Sequence, residues 1–173
     1  MSVRSALIDD LSLEPPIATI GSNWQLLTDQ VMGGLSQAQA RYDIVDGQAC
    51  LRLDGFVRLE NRGGFIQVAL PLVVGEHPFD ASHFGGLRLR VWGTGAPFQV
   101  HLRSEQQRMP WEHYSAEAWA PDAWTQIDVP FHAFKPEMTQ GILDLSRLTR
   151  LGIVVAKRPG PASLAIAGVG FHA

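Results

Sequence analysis

Apolar and polar residues alternate with a period of two along most of this chain, and the 3.6-residue period of a helix is scarce. In LRLDGFVRLE (51–60), Leu51, Leu53, Val57 and Leu59 share one side with Gly55 in phase between them. Arg52, Asp54, Arg58 and Glu60 point the other way, and Gly55 reads as a bulge. GLRLRVWG (86–93) sets Leu87, Leu89 and Val91 against Arg88, Arg90 and Trp92. FQVHLRS (98–104) sets Phe98, Val100 and Leu102 against Gln99, His101 and Arg103. WTQIDVPF (124–131) repeats the alternation. LGIVVA (151–156) is apolar on both faces and therefore central, and SLAIAGVGF (163–171) closes the chain as a last strand.

Turn signals punctuate these runs at Asp46-Gly47, Gly63-Gly64, Gly85-Gly86, Gly93-Thr94-Gly95, Ala120-Pro121-Asp122 and Arg158-Pro159-Gly160. Short strands at this spacing predict a two-layer all-β sandwich or barrel. Helix is confined to two short candidates, DLSRLTR (144–150) with Asp144 as N-cap and SALIDDL (5–11). The organisation expected is a single β-sandwich domain over residues 20–173, preceded by a loosely attached N-terminal segment, residues 1–19.

Composition adds constraints rather than identity. A length of 173 residues suits one domain that needs no disulfide or metal to hold it. A net charge of −3 without Lys/Arg runs offers no field for a nucleic-acid backbone. No window reaches the roughly 18 continuous apolar residues of a membrane span, so no direct membrane insertion is expected. The opening residues lack a signal peptide's apolar core and carry Asp9, Asp10 and Glu14, unlike a mitochondrial leader, so the expected location is cytoplasmic. The single cysteine, Cys50, lies in an alternating run and reads as a buried, inert thiol.

Candidate chemistry is thin. The glycine pair in WQLLTDQVMGGLSQAQ (24–39) lacks the lysine and following helix of a phosphate loop. Gly33 and Gly34 read instead as a turn needing positive φ or close backbone approach, with Asp29 and Ser36 hydrogen-bonding backbone groups of that loop. None of the six histidines has metal-ligand spacing, and no acidic cluster forms a ligand-dense calcium loop, so neither a metal nor a cofactor is implied. Glu105 and Glu112 are a weak pair for glycoside hydrolysis, with His113 beside them. Trp24 and Trp124 flank strands and read as core. Met32, Trp92, Arg103, Trp111 and Tyr114 are the candidates for a ligand or partner face.

The blocks WQLLTDQVMGGLS (24–36), GFVRLENRGGFIQV (55–68), GLRLRVWGTGAPFQVHLR (86–103) and AWTQIDVPFHAFKP (123–136) occur in the order seen in a known family. The chain closely resembles the complex I intermediate-associated protein family, whose mitochondrial members assist assembly of respiratory NADH:ubiquinone oxidoreductase, and looks like a stand-alone prokaryotic-type member. The matching positions are Asp29, Val31, Met32, Gly33, Gly34 and Ser36, then Asn61, Gly63, Gly64 and Phe65. One departure is Gly93-Thr94-Gly95, where the family usually has Gly-Asp-Gly. The resemblance implies a galactose-binding-like β-sandwich of jelly-roll type. It also implies a chaperone-like, non-enzymatic role holding a protein partner, a respiratory complex I subunit or intermediate, with no catalytic residues to carry over.

Two expectations follow. A protein-binding role requires an exposed apolar patch, with Met32 a member. The alternative is a carbohydrate- or small-ligand-binding module, for which Trp92, Arg103, Trp111 and Tyr114 would converge. The two Gly-Gly blocks are expected to lie close together in space.

Overall fold

The computed structural model describes residues 5–173, which form antiparallel sheets joined by turns and short 3₁₀ segments. Fourteen strands run in chain order: β1 (Ser5–Asp9), β2 (Gln25–Thr28), β3 (Gln37–Val45), β4 (Gln48–Val57), β5 (Phe65–Pro71), β6 (Val73–Val74), β7 (His77–Pro78), β8 (Gly86–Gly93), β9 (Ala96–Ser104), β10 (His113–Ala120), β11 (Thr125–Pro130), β12 (Lys135–Glu137), β13 (Leu148–Ala156) and β14 (Gly160–His172). One sheet has the order β11-β8-β14-β4-β3, with β1 sharing the β4 edge of the long strand β14. The other has the order β12-β10-β9-β13-β5-β2, and β6 and β7 form a small separate ribbon.

The alternation predicts which side chains meet. Leu51, Leu53 and Val57 of β4, Leu87, Leu89 and Val91 of β8, and Leu164, Ile166, Val169 and Phe171 of β14 are buried in one core. From the second sheet, Ile66, Val68 and Leu70 of β5, Phe98, Val100 and Leu102 of β9, and Leu151, Ile153 and Val155 of β13 join them. Each such side chain contributes about 1.5–3 kcal/mol by leaving water, so period-two patterning specifies both register and layer. The strand read as apolar on both faces, β13, lies inside its sheet between β9 and β5. Asp46 and Gly47, at φ 46° and 76°, turn β3 into β4 in the two-residue hairpin geometry.

A smaller cluster lies on the outer face of the first sheet, where Val45, Cys50, Ala165 and Ala167 pack with Trp92 and Trp124. It encloses the Cys50 thiol, whose pKa is pushed up to about 11 by burial and then by the Asp43 carboxylate. Trp24 is buried in the main core, and its indole N–H donates to Asp9 Oδ2 at 2.7 Å.

Three expectations are corrected. Gly55 is not a bulge, because register runs unbroken through its pairs with Ala38 and Ala162. A side chain there would meet the Gln37 carbonyl oxygen and, at 3.0 Å, the Ala38 Cα. Register shifts occur instead in β1, β13 and β14. SALIDDL does not form a helix: Ser5–Asp9 pairs with the end of β14, because an unfilled strand edge outcompetes weak local helix propensity. Residues 1–4 of the segment read as loosely attached lie outside the described residues. Its remainder is built into the sandwich, with Ile8, Leu11 and Ala18 in the core and buried Asp9 accepting from the Leu11 and Thr19 amides. DLSRLTR does contain a 3₁₀ turn, Leu145–Arg147, and Asp144 caps it by accepting from the Ser146 amide.

Candidate functional site

The two glycine blocks meet around one carboxylate. Asp29 opens a 3₁₀ turn, Asp29–Met32, after β2 and is 0% exposed. Its Oδ1 accepts from the Ser36 amide at 3.0 Å. Its Oδ2 accepts from the Ser36 hydroxyl at 2.5 Å and from the amides of Gly64 and Phe65 at 2.5 and 3.2 Å. Burial alone would raise the Asp29 pKa, but the Ser36 hydroxyl and the backbone amides outweigh it and hold the carboxyl below its ordinary value. Ser36 Oγ also accepts from the Arg58 amide at 2.9 Å, and Asn61 Nδ2 donates to the Gly33 carbonyl at 3.2 Å, tying the two loops together.

The glycines serve this knot for different reasons. Gly33 takes φ 86° as the left-handed cap of the turn, and a side chain there would meet open space. Gly34 does not have positive φ. A Cβ there would collide with the Asp29 carboxyl and approach Asp29 Cβ to 2.8 Å, and one on Gly63 would approach Asp29 Oδ2 to 2.6 Å. Both glycines are needed so that backbone can close around the acid.

Beside the knot, edge strands β2 and β3 flank an open groove of about 790 Å³, lined by Leu26, Thr28, Val31, Gln37, Asp54 and Phe56 among others. Its apolar side chains remain in water: Val31 is 71% exposed and Phe56 49%. Met32, Leu35 and Leu59, carried by the two knotted loops, are also exposed.

A second surface is the outer face of the β12-β10-β9-β13-β5-β2 sheet. His101 of β9 and His113 of β10 stack at 3.9 Å between ring centroids, and His101 Nε2 lies 2.9 Å from Gln99 Oε1. Burial, then the neighbouring His113, Lys157 and Arg150, lowers the His101 pKa to about 3. Burial also lowers the pKa of His113, so both rings are neutral at pH 7. Arg103 and Arg150 are directly opposed Cα partners across β9 and β13.

The candidate face residues do not converge. Met32 is exposed on the knotted loop, next in sequence to the groove residue Val31. Trp92 lies half-buried on the first sheet's outer face, with the Arg52 guanidinium 5.7 Å from its ring. Arg103 lies on the second sheet's outer face, where Nη2 donates to the carbonyls of Gln107 and Met109 in the loop carrying exposed Trp111. Tyr114 is corrected: it is 2% exposed and points into the core, its hydroxyl donating to the carbonyls of Gln140 and Gly141. Strand alternation turns it away from the face that holds His113. Of the hydrolytic candidates, Glu105 pairs with Arg147, while Glu112 accepts from the Met109 amide at 3.0 Å and braces its own loop. Among the described residues, no three His, Cys, Asp or Glu side chains are grouped to hold a metal.

Sequence reasoning missed the buried anchor Asp9, the histidine stack and the pairing of Arg150 with Arg103. The available signal was phase: Arg150, one residue before LGIVVA, shares the outward side with Gly152.

The fold is that of the galactose-binding-like jelly-roll sandwiches. A family 11 carbohydrate-binding module from Clostridium thermocellum, solved with a β-1,3-1,4-mixed-linked tetrasaccharide, superposes with a TM-score of 0.76 at 12% identity, over 99% of this chain and 97% of that one. The family 30 carbohydrate-binding module of a Clostridium thermocellum cellulosomal cellulase gives 0.69 at 13% identity, over 99% and 98%. No curated protein matches the sequence significantly. The model of the complex I intermediate-associated protein 30 (CIA30) family matches residues 18–166, and the chain belongs to that family.

Proposed function

We propose that this chain is a non-catalytic binding module that holds a protein partner during assembly of respiratory complex I. The observation that carries the reading is the apolar groove between two open strand edges, with Leu26, Val31 and Phe56 exposed along it. Exposed edges and apolar side chains together accept an extended partner segment, the backbone supplying hydrogen bonds and the side chains supplying burial. Family membership supports the nature of the partner, a complex I subunit or intermediate.

Affinity capture from cells that make complex I tests this, comparing the native chain with Val31→Glu and Phe56→Glu. Recovery of complex I subunits by the native chain and their loss with both variants, at unchanged melting temperature, is the expected result. Normal complex I levels after deletion of the gene, with no subunit captured, would refute the role.

A second reading, a carbohydrate-binding module, has its own observation in the outer face of the second sheet. There half-buried Gln67, Gln99, His101 and Ser115 line a polar surface near exposed Trp111. Calorimetry with soluble β-glucan oligosaccharides tests it, and silence at millimolar ligand removes it.

A further inference from the structure

Two arginines face each other across strands β9 and β13, and among the described residues neither has an acid within ion-pairing distance. Arg103 and Arg150 are directly opposed and both half-buried. Like charges in directly opposed positions destabilise a sheet, and desolvation adds to the cost. Other strand arginines have side-chain partners: Arg88 pairs with Asp128, Arg52 and Arg41 with Asp54 and Asp43, and Arg90 donates to Gln48 Oε1. Arg103 spends one amino group on the carbonyls of Gln107 and Met109, and its Nε is buried without a partner. Only burial and the neighbouring Arg103 act on the Arg150 guanidinium, and both lower its pKa. Two guanidinium side chains rising from directly opposed positions without an ion-pair partner suit the two oxygens of a carboxylate.

The surroundings limit what carries that carboxylate. In the row beside the arginines, Ser115, His101, Gly152 and Ala69 are opposed in turn, and Gln67 reaches across Gly152. Most polar groups there are uncharged, Gln67, Gln99, Ser115 and two neutral imidazoles, while Glu117 stands opposite Gln99 and Lys157 acts on both histidines. Glu112 acts on Arg103 and Glu137 on His113 from the rim, so a run of acidic groups would be repelled. Exposed Trp111, on the loop that Arg103 braces, offers a flat apolar surface at the same rim.

We propose that the outer face of the second sheet binds a hydroxylated ligand bearing a single carboxylate, a uronic-acid sugar, with Arg103 and Arg150 clamping the carboxylate and Gln67, Gln99 and His101 reading the hydroxyls. This deepens the carbohydrate reading and is independent of the groove between β2 and β3.

The test is a titration of the full chain with glucuronate, with glucose, acetate and a Glu-containing peptide as contrasts, followed by heteronuclear NMR of the arginine Nε–Hε signals. Saturable shifts of the Arg103 and Arg150 signals by glucuronate are expected, at least ten-fold tighter than for any contrast ligand. Arg150→Gln weakens glucuronate binding about ten-fold or more, the loss of a charge-assisted contact. Because the variant relieves like-charge repulsion, it melts no lower than the native chain without ligand, an outcome that loss of a structural residue does not produce. Arg150→Lys retains part of the binding.

Equal response to glucose and glucuronate overturns the carboxylate clamp while leaving the carbohydrate reading in place. A response to acetate or peptide as strong as to glucuronate overturns the sugar assignment, and absence of any saturable shift overturns the site. A lowered melting temperature in Arg150→Gln with glucuronate binding intact assigns the arginine to structure and overturns the proposal.

Discussion

Replacing Asp29 with asparagine keeps the shape of the central knot and removes half of its hydrogen-bonding logic. The carboxylate accepts four hydrogen bonds, from the Ser36 amide and hydroxyl and from the amides of Gly64 and Phe65. An asparagine has one acceptor oxygen. Placed where Oδ2 lies, that oxygen keeps three partners, while its amino group confronts the Ser36 N–H, donor against donor. One buried N–H without a partner costs about 1–3 kcal/mol, and three charge-assisted bonds become weaker neutral ones. The sum expected is about 2–4 kcal/mol of lost stability. For a chain of this size that lowers the melting midpoint by about 5–15 °C, read by calorimetry at pH 7. The pH dependence gives an independent check. The folded carboxyl has its pKa below its ordinary 3.8. Its stabilisation is therefore fully present above pH 4 and is lost as pH falls through the lower folded value. The gap between native chain and variant should accordingly narrow on acidification. A variant melting within 2 °C of the native chain at pH 7 would refute the claim that this buried acid holds the loops together.

Three further outcomes are expected. Gly34→Ala destabilises by about 1–3 kcal/mol through collision with Asp29, and the cost largely disappears in an Asp29→Gly background, which removes the carboxyl and the Cβ together. Gly33→Ala costs about 1–2 kcal/mol of left-handed backbone strain in either background, and equal behaviour of the two glycines in a double-mutant cycle would overturn the distinction. His101, at about 3 in the fold against 6.5 ordinarily, leaves the unfolded chain holding the extra proton between those values, so stability falls as pH drops from 6.5 toward 3. His101→Gln removes that contribution, and denaturant midpoints from pH 7 to 4 should fall less steeply than in the native chain. Cys50, with its pKa near 11 and buried, should resist an aromatic disulfide reagent until the protein unfolds; rapid labelling at pH 8 would contradict its enclosure.

Legibility followed the range of the interaction. The phases of β4, β8, β9 and β14 were readable because burial acts on every second residue of a strand. The kinship of Asp29, Ser36 and the two glycine pairs was readable as a motif, but the reason for Gly34 was not. Positive φ and close approach look alike in sequence, and only the position of the Asp29 side chain separates them. Tyr114 misled for a related reason: a tyrosine beside a polar loop looks exposed until register assigns it to the inner face. Gly55 looked like a bulge because glycine serves bulges and close approaches equally.

By itself, the amino-acid sequence determined that this chain is an all-β sandwich with period-two layers, which residues build its core, and which family its motifs resemble. Those are consequences of local periodicity and short-range turn chemistry, which one strand expresses without its neighbours. The tertiary structure alone decided that the edges of β2 and β3 leave an apolar groove open, that β1 fills the edge of β14, and that Arg103 and Arg150 stand opposite each other on one face. Pairing between strands distant in sequence sets those relations, and a cross-strand register is a property of two segments together.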